Sequence, residues 1–181
     1  MKNQFSTKSL VTMALFAALL CVSAYISIPL PNGSHLTLLN FVVLLIAFLF
    51  PVGQSALIIS TWLLLGAIGV PVFISGASGF GYLFGGWGGY NLAFLVVAII
   101  VPLVRGREYR RVSYTVLAIT AALTINILGA AWLMLITHIS VGQAFIMGVL
   151  PFLPLDFVKA IALAQIVPQL RGLMSYTVAM E

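Results

Sequence analysis

Asp156 and Lys159 lie three residues apart inside the apolar run Pro154-Leu155-Asp156-Phe157-Val158-Lys159-Ala160-Ile161-Ala162-Leu163. On a helix, positions i and i+3 share a face. An ionised side chain inside a bilayer costs roughly 2.5–3.5 kcal/mol on insertion scales, so by default such residues face a protein interior and serve a site. The carboxylate can accept hydrogen bonds from N–H donors of a ligand, and the ammonium can pair with it or meet a ligand anion. The plainer alternative is local. Pro154 suits the first turn of a helix, Asp156 then meets the positive end of the helix dipole, and Lys159 snorkels outward.

A second cluster reads Gly85-Gly86-Trp87-Gly88-Gly89-Tyr90-Asn91. Its glycines permit positive φ and close backbone approach to a ligand. Trp87 and Tyr90 offer flat apolar faces with a polar handle, and Asn91 can donate and accept. As a phosphate cradle the pattern fails, because no lysine follows it and no strand precedes it. The alternative is a tight turn with interfacial aromatics. A third feature is the stripe Ala14, Ala17, Ala18, Cys21 and Ala24, small residues at helical spacing. Such stripes let helices approach closely in lipid, either within one chain or between subunits.

The parts of an enzyme are missing. The chain has three acidic residues, one of them terminal, and no H-E-x-x-H or G-x-S-x-G pattern. With no base beside a nucleophile, covalent catalysis has nothing to work with. Neither His35 nor His138 has a second ligand at metal spacing, and lone Cys21 offers neither a disulfide nor a thiolate site. The expectation is a protein that is no enzyme and carries no cofactor or metal.

The elements that must position these residues are membrane helices. Of 181 residues, 62% are hydrophobic and 6% charged, against about 25% charged in a soluble domain. Breakers divide the chain into six apolar segments: near Leu10 to Ile28, Leu36 to Phe50, Gln54 to Val70, Tyr90 to Val104, Val112 to Ile136, and Pro154 to Leu170. An apolar, proline-broken lead-in runs from Val141 to the last of them. The expected fold is all-α: one membrane domain over residues 1–181, a compact bundle of six transmembrane helices. Segments two to four are short, which is tolerated where helices line an enclosed cavity. The first stretch is too long for a signal-peptide h-region.

Lys2 and Lys8 precede the first segment, Arg105, Arg107, Arg110 and Arg111 fall between the fourth and fifth, and Arg171 follows the sixth. The positive-inside rule places all of these, and both termini, in the cytoplasm. The arginine loop is read as topogenic, with anionic lipid or a cytoplasmic partner as the alternative. The opposite side holds three uncharged connections, Pro29 to His35, Pro71 to Gly89 and His138 to Pro151. The long, glycine-dense middle one suits a lid over a cavity.

Three stretches carry a resemblance: Leu64-Leu65-Gly66-Ala67-Ile68-Gly69-Val70-Pro71-Val72-Phe73, then Gly88-Gly89-Tyr90, then Pro151-Phe152-Leu153-Pro154-Leu155-Asp156-Phe157-Val158-Lys159-Ala160. Together they resemble the BioY family, biotin-specific substrate-binding S components of energy-coupling factor vitamin transporters of the bacterial plasma membrane. The resemblance implies a high-affinity biotin site near the outer face. It also implies docking through Ala14 and Ala18 onto a transmembrane coupling subunit that bears two cytoplasmic ATPases. Where the family often has Thr-Leu-Gln-Thr, this chain reads Thr37-Leu38-Leu39-Asn40, which makes Asn40 the substitute candidate. Leu155 stands where a glycine usually precedes the aspartate. On this reading Asp156 accepts from the ureido N–H groups, and Lys159 pairs with Asp156 or meets the valerate carboxylate. Trp87, Gly88, Gly89, Tyr90, Asn91 and Asn40 complete the binding set. The competing readings are an S component for another vitamin, an autonomous proton-coupled transporter, and a non-transporting scaffold subunit.

Overall fold

Apolar composition turns into helix because lipid offers the backbone no hydrogen-bond partners. The computed structural model describes residues 6–31, 33–106 and 108–179, the side chains of 174–179 excepted. Lys2, Arg107 and Glu181 lie outside the described residues. The helices are α1 (Thr7–Tyr25), α2 (Leu39–Leu49), α3 (Val52–Ala67), α4 (Phe80–Leu83), α5 (Gly88–Val104), α6 (Arg111–Thr137), α7 (Val141–Gly148) and α8 (Leu153–Ala179). Among the described residues α1, α6 and α8 are long and apolar enough to cross a membrane, while α2, α3 and α5 are apolar but shorter.

Three elements depart from the sequence expectation, one of them the short α4 inside the connection read as a loop. The first external connection folds into a small antiparallel hairpin, β1 (Ser27–Pro29) and β2 (His35–Thr37). Three-residue strands are too short to register as a period-2 pattern. The lead-in to the last segment forms its own helix, α7, whose start is fixed by a capping box between Ser140 and Gln143.

The centre of the bundle is α2. Every residue from Val42 to Leu49 is buried, so this helix is apolar all round rather than striped, as expected of a fully enclosed helix. Around it α5 packs on α2, α3 and α6, and α8 packs on α2 and α6. The Leu64–Phe73 stretch acquires a packing explanation. A Cβ on Gly66 would lie 2.1 Å from the Phe73 ring, so only glycine leaves room for that ring to fold back onto α3. Gly69, at φ +104°, reverses the chain to bring it there. Phe73 then sits edge-on to Trp62 at 5.1 Å, and the Trp62 indole N–H donates to Val72 O at 3.0 Å.

Candidate functional site

The N-terminal ends of α5 and α8, the hairpin and the 71–87 segment meet at one end of the bundle around a cavity of about 100 Å³. Arg105 and Arg171 meet the C-terminal end of α2 at the other end, and Asp156 and Arg171 are separated along α8 by about 22 Å at 1.5 Å per residue. Aromatic side chains make the cavity wall. Trp87 tilts onto Tyr90 at 5.8 Å, Tyr90 onto Phe152 at 5.8 Å, and Tyr82 stacks on Phe73 at 5.3 Å. The Tyr90 hydroxyl donates to Gly148 O, which ties α5 to the C-terminal end of α7. Gly33, Ser34, His35 and Ile74 line it from the hairpin and the 3₁₀ turn at Ile74–Gly76.

Its polar end is built on Asp156, which is 3% exposed. Oδ2 accepts from Asn126 Nδ2 at 2.9 Å and from Asn40 Nδ2 at 3.4 Å, and Oδ1 accepts from Lys159 Nζ at 3.2 Å. Lys159 Nζ also donates to Thr37 O at 2.7 Å, anchoring the hairpin to α8. A buried carboxylate with three donors is held by hydrogen bonding as well as by charge. Asp156 does sit in the first turn of α8, as the local alternative has it, but it is also taken up by side chains from α2, α6 and α8. Lys159 is drawn to the hairpin instead of snorkelling outward.

Asn126 was missed in the sequence, although a lone amide in a 27-residue apolar helix was a usable signal. It lines the cavity and is 1% exposed. Because Asp156 can only accept, the amide must present its nitrogen to the carboxylate. Its Oδ1 is thereby left buried without a hydrogen-bond partner among the described residues. Burying an unpaired amide group costs roughly 1–3 kcal/mol on mutational scales. The carbonyl oxygen is an acceptor waiting for a donor.

Of the residues singled out beforehand, Asn40, Trp87 and Tyr90 line the cavity, and Asp156 and Lys159 form the network behind it. Gly88, Gly89 and Asn91 are not among the lining residues. A Cβ on Gly88 would meet Leu83 O at 1.7 Å, and one on Gly89 would meet Trp132 Cβ at 2.1 Å. These glycines let α5 approach its neighbours closely. Asn91 is buried, and among the described residues neither of its amide atoms has a hydrogen-bond partner. Gly89→Ala is expected to lower the thermal unfolding midpoint in detergent, because overpacking of about 1–3 kcal/mol exceeds the roughly 1 kcal/mol gained in helix propensity. An unchanged midpoint would contradict the packing role. Tyr82, Phe94 and Phe152 also line the cavity, and in the sequence nothing separates them from core aromatics.

The small-residue stripe of α1 divides. Ala24 is buried and Ala17 and Cys21 are half-buried, whereas Ala14 and Ala18 are exposed beside Val11 and Leu15. One edge of the stripe serves the bundle and the other faces outward.

A family model described as the BioY family matches residues 1–176. The chain is 36% identical over 168 residues to a probable biotin transporter BioY of Pyrococcus horikoshii, covering 91% of this chain and 97% of that one. It is 33% identical over 154 residues to the biotin transporter BioY2 of Lactococcus lactis subsp. cremoris, covering 84% of each. To the biotin transporter BioY of Thermotoga maritima it is 31% identical over 166 residues, covering 92% of this chain and 97% of that one. Among solved structures, the S-component for biotin from an ECF-type ABC transporter superposes with a TM-score of 0.84, covering 95% of each chain at 23% identity. At that identity the likeness speaks for the fold.

Proposed function

The chain belongs to the BioY family, and we propose that it is the biotin-binding membrane subunit of an energy-coupling factor uptake transporter. The observation that carries this reading is the polar end of the cavity, where, among the described residues, Asp156 has gathered three N–H donors and Asn126 Oδ1 has none. A ureido ring supplies two N–H donors side by side. One satisfies Asn126 Oδ1. The other takes Asp156 Oδ2 in place of Asn40, whose 3.4 Å contact is the longest of the three. The apolar ring and tail then lie against Trp87, Tyr90 and Phe152. Lys159 pairs with Asp156 and holds the hairpin to α8.

A cavity of about 100 Å³ is smaller than the roughly 300 Å³ at which small-molecule sites begin. The segments carrying Gly33–His35 and Ile74 therefore move aside to admit biotin and close over it. Six helices, α1, α2, α3, α5, α6 and α8, cross the bilayer as a single domain. Both termini and the arginine-rich end face the cytoplasm by the positive-inside rule, so the cavity opens outward. Import is driven by partners, a transmembrane coupling subunit with two ATPases, which dock on the Ala14/Ala18 edge.

The test of the acceptor is Asn126→Leu. Loss of one well-placed hydrogen bond is expected to weaken biotin binding roughly tenfold, at about 1.4 kcal/mol. An analogue methylated on a ureido nitrogen is expected to lose less. Biotin affinity unchanged by Asn126→Leu would remove Asn126 from the site.

A further inference from the structure

At the end of the bundle opposite the cavity, two arginines converge on the C-terminal end of α2. Arg171 donates from Nε and Nη2 to Phe48 O, at 3.1 and 2.8 Å, and from Nη1 to the Tyr114 hydroxyl. Its guanidinium lies 5.2 Å from the centroid of the Tyr114 ring. Arg105 donates from Nη2 to Phe50 O at 2.9 Å. These bonds satisfy carbonyls that a helix end leaves open, but they leave the charge unbalanced. Among the described residues neither arginine has an ion-pair partner, and Arg105 Nη1 is buried without an acceptor. Burial, with Arg171 alongside, pushes the Arg105 guanidinium down to about 10, which still leaves it cationic at neutral pH.

Two grooves meet at Arg105. One, about 480 Å³, is lined by both arginines together with Pro51, Val52, Pro102 and Leu103. The other, about 390 Å³, runs between α5 and α6 along Val104, Val112, Val116 and Leu117. The first pairs two guanidiniums with an open cleft; the second starts at Arg105 and is mainly apolar, with Ser113 and Thr120 along it. We propose that these grooves hold one anionic phospholipid, its phosphodiester on Arg105 and Arg171 and an acyl chain along the α5–α6 groove. Guanidinium forks match phosphate oxygens in bidentate geometry, and basic clusters at the membrane surface attract anionic lipid. The adjoining apolar groove favours a lipid over a free phosphate ion. The proposal stands whichever vitamin the cavity accepts.

The test uses the purified full-length protein in detergent, with lipid retention read by native mass spectrometry and stability by thermal unfolding. Phosphatidylglycerol is expected to be retained about tenfold over phosphatidylcholine, the worth of a charge-assisted contact. Arg105→Gln is expected to abolish that preference, and Arg105→Lys to reduce it. Should Arg105→Gln fail to fold, Val116→Trp decides the question, since Val116 is 54% exposed and the change narrows the tail groove while both arginines are retained. It is expected to cut phosphatidylglycerol retention with the unfolding midpoint unchanged. Equal retention of the two lipids, or retention unaffected by Val116→Trp, would overturn the proposal. Stabilisation by inorganic phosphate equal to that by phosphatidylglycerol would overturn it in favour of a free anion.

Discussion

Asp156→Asn is expected to weaken biotin binding by roughly two orders of magnitude or more, about 3 kcal/mol, in protein that still reaches the membrane. The change is nearly isosteric, so packing is preserved and the effect is electrostatic. In the native network two carboxylate oxygens serve three N–H donors. An amide has one acceptor oxygen, and its own N–H₂ group would face another donor. Lys159, whose side chain is 19% exposed, would lose its counter-charge. Removing one partner of a buried pair costs about 3–5 kcal/mol, because the other charge is left uncompensated. Part of that cost falls on the free protein and part on the complex. The measurement is equilibrium biotin affinity alongside the unfolding midpoint. An affinity within twofold of the native value would mean that the ligand does not draw on this carboxylate.

Ala14→Leu with Ala18→Leu is expected to reduce ATP-driven biotin uptake at least roughly tenfold while leaving biotin affinity of the isolated subunit unchanged. In lipid, helices associate through close packing at small residues rather than through a hydrophobic driving force, so enlarging the contact is disruptive. Ala14 and Ala18 are exposed, and larger side chains there do not enter the bundle. The readouts are uptake by cells carrying the complete transporter and co-purification of the coupling subunit. Uptake retained with both leucines in place would move the docking surface elsewhere on the protein.

How much of this could be read from the sequence follows from how local each signal is. The six long apolar helices were legible to within about three residues, because hydropathy and Pro/Gly breakers act within a few residues. The exceptions are the C-terminal end of α8, which runs to Ala179 rather than Leu170, and the short α4 and α7, which were not legible. Span five, read as Val112 to Ile136, is α6 at Arg111–Thr137. Asp156 and Lys159 stood out because a charge in an apolar run is improbable on its own. That Lys159 would reach Thr37 O was not legible, since that contact joins residues 122 positions apart.

The Gly85–Asn91 cluster divides: Trp87 and Tyr90 line the cavity, while Gly88 and Gly89 pack against protein. Glycine serves equally for approach to a ligand and for approach between helices, and at Gly88 and Gly89 the neighbours are Leu83 and Trp132. The arginines were read as topogenic, a reading that concerns only the side of the membrane and not the contacts they make. Their hydrogen bonds to Phe48 and Phe50 carbonyls depend on α2 ending beside the end of α5 and the Arg171 turn of α8. Such meetings of chain ends are tertiary facts without a local signature.

The most direct test of the central claim is equilibrium titration of the purified chain, without any partner subunit, with biotin, followed by tryptophan fluorescence. Trp87 lines the cavity and would report occupancy. Saturable one-to-one binding that neither thiamine nor riboflavin displaces is the expected result. A well-folded sample whose fluorescence and unfolding midpoint do not respond to biotin would contradict the assignment of this cavity as a biotin site.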